Sequence, residues 1–244
     1  MDFFRALSFL TLLPCPSPET PPEELGRSCP CFPLAGLLIG GLLAAAMTGL
    51  GFVLPPLPSA AFVVILWAFI TRGLHLDGLA DTFDGIGGGW DAPSRLAIMK
   101  DSRLGTFGGI ALAGALLAKA ALLAGLGSGE GLKALLVAPV AGRWAMLPAM
   151  YFFPAARPGG MGDLFKKGCS GRGLAAGTLI ALLAASGLGG LRGAAAVLTA
   201  AIVSLAVSRQ LTRLLGGLTG DSYGAVCELS ELGALVLFAL ALPL

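Results

Sequence analysis

Long apolar stretches separated by short polar or Gly/Pro-rich breaks fill most of the chain. They fall at about 34–54, 57–76, 107–126, 132–153, 174–190, 194–215 and 225–244. A helix needs about 20 mostly apolar residues to cross a bilayer, so the pattern predicts about seven transmembrane helices. Pro55, Pro56 and Pro58 separate the first two stretches, and Gly-rich turns at 125–131 and 187–193 separate later pairs. Ahead of them, Asp2, Arg5 and Ser8 oppose Phe3, Phe4, Leu7 and Leu10 at helical spacing. That pattern predicts a short amphipathic helix on the membrane surface. The Pro- and Glu-rich segment 14–30 reads as a surface loop. Strand-like alternation is absent, which argues against a transmembrane barrel. The fold class expected is therefore all-α, a polytopic membrane bundle forming one integral domain over 1–244.

Composition supports this reading. The chain is 56% hydrophobic and 12% charged, with a mean hydropathy of +0.86; a soluble domain carries about 25% charged residues. A net charge of +2 is too small to suggest nucleic-acid binding. Abundant glycine and few aromatics favour closely packed helices. The five cysteines lack metal-ligand spacing and read as reduced thiols, and no zincin or Walker motif occurs. With the N-terminus cytoplasmic, twelve of the 16 Lys and Arg fall in cytoplasmic segments and only Lys133 and Arg192 in outer turns. This is the positive-inside pattern of a multi-pass protein in the cell (inner, cytoplasmic) membrane. The acidic residues share the asymmetry, which points to chemistry on a substrate reached from the cytoplasm. The segment 71–106 is the expected catalytic part.

Three strings carry that chemistry. In Leu74-His75-Leu76-Asp77-Gly78-Leu79-Ala80-Asp81-Thr82-Phe83-Asp84-Gly85, three carboxylates stand at i, i+4 and i+7. On a helix they lie within roughly 60° of one another. Such a stripe is costly near lipid unless something offsets it, and Mg²⁺ suits it. In Lys100-Asp101-Ser102-Arg103-Leu104-Gly105-Thr106, Lys100 and Arg103 are placed to grip phosphate oxygens and Asp101 to join a metal shell. A positive-inside flank explains basic residues here but not this particular string. The third runs from Thr219-Gly220-Asp221 to Glu228 and Glu231, with acids entering an apolar span. Lys119 and Arg143 are single cations inside spans; each either pairs with acids on neighbouring helices, the favoured reading, or snorkels to an interface. The run Gly85-Ile86-Gly87-Gly88-Gly89 reads as a flexible loop, not a dinucleotide fingerprint.

The first two strings together resemble the cobalamin synthases, the adenosylcobinamide-GDP ribazoletransferases. Phe32-Pro33-Leu34 with Gly36 is similar to the family's opening motif, and Thr219-Gly220-Asp221 with Gly224, Ala225 and Glu228 to its closing one. The resemblance implies transfer from adenosylcobinamide-GDP to α-ribazole or its 5′-phosphate, with GMP leaving and Mg²⁺ as cofactor. On that reading the metal ligands are drawn from Asp77, Asp81, Asp84, Asp101, Asp221 and Glu228. Asp81, Asp84, Lys100 and Arg103 are the candidate catalytic groups. His75, Ser102, Lys119 and Arg143 are candidate substrate contacts. Segments 85–97 and 154–173 match poorly and receive no role. A homo-oligomer is left open. Two alternatives stand beside this reading. A CDP-alcohol phosphotransferase also uses spaced aspartates, but Asp81 occupies the place where its motif has arginine. A cation-coupled secondary transporter would more often scatter its ionisable residues at mid-membrane.

Overall fold

The computed structural model describes residues 1–16, 24 and 26–240, and all of the described elements are helical. Of the segment expected as a surface loop, residues 17–23 and 25 lie outside the described residues, as do the last four residues of the seventh expected span. The end of the 14–30 segment is not a surface loop, because Gly26–Cys31 form a 3-10 turn with Gly26, Ser28 and Cys29 buried. The helices are α1 (Asp2–Leu10), a 3-10 turn (Gly26–Cys31), α2 (Phe32–Leu50), α3 (Pro56–Ile70), α4 (Leu74–Gly88) and α5 (Ala92–Ile98). They continue as α6 (Thr106–Gly125), α7 (Ser128–Phe152), α8 (Met161–Gly168), α9 (Gly171–Leu215) and α10 (Gly220–Ala239). The amphipathic N-terminal helix is present as α1, with Ala6, Leu7 and Leu10 turned inward.

Among the described residues, five helices are long and apolar enough to cross a membrane, and α3 with α4 gives a sixth if that bent pair is one span. α9 has 45 residues, about 67 Å at helical rise, more than twice a hydrocarbon core. Its helical geometry breaks at Gly190, which has φ +58°. Beyond the break, Gly193 packs directly on the backbone of Ala185, so the chain reverses there. Counted as two halves, α9 yields the two spans expected on either side of 187–193.

α7 is the central helix, buried along most of its length and packed against α2, α9 and α10. Large apolar side chains on the other helices, among them Leu117, Leu183, Leu198 and Ile202, face outward, as a lipid-embedded bundle requires. One end carries few charges. Glu130 there bridges Lys133 at 2.8 Å and Arg192 at 2.9 Å, so the two cations expected in different outer turns meet on one acid. The other end holds α1, the 3-10 turn, α5 and α8. It is tied together by Leu12 N–H to the Ile70 carbonyl, Ala156 N–H to Leu218, and Arg95 to the Leu214 carbonyl.

The glycine run at 85–89 corrects an expectation. α4 continues through it to Gly88. Close packing explains the glycines: Gly85 abuts Met99 and Gly87 abuts the Phe107 ring.

Gly36 and Gly40, one turn apart on α2, bring that helix against α7. A Cβ on Gly40 would stand 2.7 Å from the Leu135 carbonyl oxygen, whereas one on the adjacent Gly41 would meet nothing within 4 Å. Small residues at this spacing let backbones approach in lipid. Gly40→Ala is expected to destabilise the protein by about 1–3 kcal/mol, the usual cost of overpacking, and Gly41→Ala to be neutral or slightly stabilising. Thermal unfolding of the two variants in detergent checks this pair.

Candidate active site

α3 ends at Ile70 and the chain turns through 90° before α4 begins. Arg72 and Gly73 make the bend with φ of +56° and +64°. For Arg72 that left-handed backbone is uncommon and signals strain. The turn sends α4 toward the polar end of the bundle and puts its acidic stripe there. Asp77 is exposed, Asp81 half-buried and Asp84 buried, so the stripe descends from solvent into protein.

Asp84 has an explicit structural task. Its two carboxylate oxygens accept the backbone N–H groups of Gly105 at 2.7 Å and Gly108 at 2.8 Å, at the start of α6. A carboxylate there meets orphan helix donors and the positive end of the helix dipole. A Cβ on Gly105 would lie 2.7 Å from the Asp84 carboxyl carbon, and one on Gly108 2.9 Å, so both glycines are needed for the contact. The first two strings of the sequence are thus physically joined: the acid of one caps the helix that the other leads into. The basic string itself stays on the surface. Arg103, with its side chain 87% exposed, grips Asp101 two residues away, and the guanidinium holds the Asp101 carboxyl down at about 2. Lys100 and Ser102 are exposed in the same loop. Asp101 and Arg103 are therefore assigned to one another here, not to the acidic stripe.

The third string arrives from α10. Thr219 caps the helix in a box with Ser222, each side chain bonded to the other's backbone N–H at 3.1–3.2 Å. The helix therefore begins at Gly220 and carries Asp221 in its first turn. α4 and α10 nearly touch. A Cβ on Gly78 would stand 2.7 Å from the Asp221 carbonyl oxygen, and one on Gly224 3.0 Å from that of His75. This approach places Asp221 beside the stripe. The charges of Asp77, Asp221 and Asp84 all bear on Asp81, and Arg157 bears on Asp221. A cavity of about 170 Å³ opens at the crossing, lined by His75, Asp77 and Asp221 together with Met150, Met161 and Phe165. Asp221 is shared with a neighbouring cavity of about 150 Å³ whose wall includes Arg157. Among the described residues, no three His, Cys, Asp or Glu side chains stand as a ready-made metal cage.

Glu228 lies two helical turns further along α10 and belongs to a different group. It accepts from Lys119 of α6 at 2.7 Å. Lys119 also pairs with Glu231, and Glu231 pairs with Arg143 of α7. Arg143 in turn donates toward Nδ1 of His75 at 3.4 Å. The Lys119 ammonium stands 4.2 Å from the centre of the Trp67 ring on α3, a cation–π contact. All four charged groups are buried, Arg143 and Glu231 completely. Two cations meet two anions, so the group is neutral as a whole. The pairing expected for Lys119 and Arg143 is present. As buried members of this network they do not present themselves to a substrate, and Glu228 is engaged away from the acidic stripe. Glu231 was legible as an in-span acid; Arg157, Trp67 and the cavity's methionines had no sequence signal beyond their positions.

A family model described as cobalamin-5-phosphate synthase matches residues 2–239. The chain is 43% identical to an adenosylcobinamide-GDP ribazoletransferase of Roseiflexus sp., over 98% of this chain and 90% of that protein. It is 40% identical to one of Herpetosiphon aurantiacus (96% and 94% covered) and 42% identical to one of Syntrophobacter fumaroxidans (94% of each). No solved structure matches. The chain belongs to the cobalamin-5-phosphate synthase family.

The neutral network sets one test. Lys119→Met leaves two buried carboxylates facing a single arginine, and breaking a buried pair from one side costs about 3–5 kcal/mol. Adding Glu228→Gln removes the surplus charge and is expected to restore part of the loss. A double-mutant cycle on unfolding in detergent measures the coupling; additive effects would contradict the pairing.

Proposed function

Proceeding from that family membership, we propose that this protein joins adenosylcobinamide-GDP to α-ribazole, or to its 5′-phosphate, and releases GMP. The observation that carries the reading is the meeting of Asp77, Asp81 and Asp221 beside a cavity at the polar end. Phosphoryl transfer asks the protein mainly for alignment and charge neutralisation. The ribose 3′-hydroxyl oxygen forms a bond to the phosphorus on the cobinamide arm. The bond from that phosphorus to the oxygen bridging to GMP breaks, and GMP leaves with that oxygen and the bonding pair. The hydroxyl proton passes to a carboxylate. Asp81 is half-buried, and the charges of Asp77, Asp221 and Asp84 bear on it, so a cation or a proton is attracted there. It is the proposed proton acceptor.

The donor set fits Mg²⁺: hard carboxylate oxygens, with room for water and substrate phosphate to complete six ligands. The lack of a ready-made cage is compatible with this, because Mg²⁺ usually takes only one or two protein carboxylates. Asp77 and Asp221, which line the cavity, would hold the ion, leaving Asp81 for the proton; the ion would supply positive charge against the diphosphate. Asp84 fixes the stripe against α6, so its part is positioning. Lys100 and Arg103 sit in the loop ending at Gly105, within reach of an anionic substrate arriving from solvent. The polar end is assigned to the cytoplasm of the cell membrane, in keeping with the basic residues gathered there.

Two outcomes are expected. Asp81→Asn and Asp221→Asn each lower Mg²⁺-dependent GMP release by at least about a hundredfold, the range for losing a general base or a charge stabiliser. Near-normal turnover in both, with folding intact, would sink the carboxylate mechanism. For orientation, single cysteines introduced as Gly88→Cys and Ser128→Cys in a cysteine-free background should react with an impermeant maleimide only at 128 in whole cells. Labelling only at 88 reverses the topology.

A further inference from the structure

The cavity at the α4–α10 crossing has an unusual lining. Its walls are mainly thioether and aromatic, from residues such as Met150, Met161 and Phe165, with a single imidazole and two carboxylates among them. The imidazole belongs to His75, which is 97% buried yet borders the open space. Its Nδ1 faces the Arg143 guanidinium at 3.4 Å. A guanidinium can only donate, so Nδ1 must accept, and the ring proton then resides on Nε2. Nε2 makes no hydrogen bond with any described residue. It is also absent from the fully enclosed polar atoms lacking a partner. Hence the buried network ends in one N–H donor, with no partner among the described residues, on a side chain that lines the cavity.

We propose that this cavity is the subsite for a flat heteroaromatic base of the acceptor nucleoside, with His75 Nε2–H donating to the base's ring nitrogen. This rests on the ribazole-transfer reading and names where one substrate half sits. Sulfur and ring-edge contacts suit an aromatic plane. One donor suits a base with a single free ring nitrogen. Guanine, with polar atoms around most of its rim, would leave several of them against methionine and phenylalanine. A cavity of about 170 Å³ is suited to a bicyclic ring and not to a corrinoid. Asp77 and Asp221 both line the cavity, close enough for their charges to act on one another, and there the sugar attached to the base brings its hydroxyl to the carboxylates. His75 is thus a binding residue, while Arg143 and Glu231 are positioning residues that set its ring.

Two amide variants separate the roles. The Gln amide nitrogen can occupy the Nε2 position and keep the donor to the cavity. Asn reaches only the Nδ1 position and keeps the acceptor for Arg143. Steady-state kinetics of GMP release are followed against α-ribazole and, separately, against adenosylcobinamide-GDP. His75→Asn is expected to raise KM for α-ribazole about tenfold, the value of one hydrogen bond to a buried donor, with KM for adenosylcobinamide-GDP unchanged. His75→Gln is expected to raise it several-fold less. A larger effect on the adenosylcobinamide-GDP KM, or equal effects of Asn and Gln, overturns the subsite. Equilibrium dialysis of α-ribazole alone, in Mg²⁺ buffer, reads the subsite without turnover. Weaker binding to His75→Asn than to the unmutated protein supports it, and unchanged binding overturns it. Failure of the unmutated protein to release GMP would refute the proposed reaction while the dialysis still decides the subsite.

Discussion

A charged side chain in a lipid-embedded bundle must be matched where it sits, because neither water nor ions can reach it there. That constraint organises the centre of this molecule. Lys119, Glu228, Glu231 and Arg143 come from three helices and close into a neutral group, with the Trp67 face on Lys119 and the His75 ring on Arg143. None of these side chains can be satisfied by its own helix. α6, α7 and α10 must therefore meet in one register, and α4 must bring His75 to the same place. Apolar packing alone would permit sliding, since lipid tails are as apolar as the helix surfaces. The electrostatic group removes that freedom.

The register so fixed has a consequence at the polar end. α10 crosses α4 at Gly78 and Gly224, where neither backbone tolerates a side chain. Only at that separation does Asp221 join the stripe of α4. Asp84 adds the second anchor by capping α6, so the acidic helix is held on one side by packed backbones and on the other by two N–H bonds. Acids that repel one another are thereby kept together at an accessible edge. The energy that holds them comes from the caps and from helix packing further in, and it keeps open a place where positive charge is wanted.

How much of this was legible in the sequence follows from the range of each interaction. The seven apolar stretches could be read because hydrophobic runs and their Pro and Gly breaks are local signals. So could the stripe of Asp77, Asp81 and Asp84, since helical periodicity alone aligns it. The start of α10 at Gly220 is also local, written in the Thr219–Ser222 box. The partners were not legible. That Asp84 caps a helix beginning some twenty residues later, or that Lys119 finds Glu228, depends on which helices neighbour one another. Reading every charge in the motif strings as part of one site was the natural consequence. The glycines at 85–89 failed for a related reason: a residue without a side chain signals freedom locally, but between packed helices it signals contact.

The structure instead divides the charges by whether they are already matched. Glu228, Glu231, Lys119 and Arg143 cancel one another and are buried, so they have little left to offer a ligand. Asp101 and Arg103 match each other on the surface, where a mobile pair can reopen at small cost. Asp77, Asp81 and Asp221 instead bear on one another, with Arg157 acting on Asp221. Unmatched charge near a membrane is tolerated only if something else supplies the balance, which is the part proposed above for Mg²⁺ and the substrate. The same division explains why His75 stands at the boundary. One ring nitrogen belongs to the matched core and the other to the cavity, so the imidazole transmits the fixed geometry of the interior to the edge where chemistry is proposed.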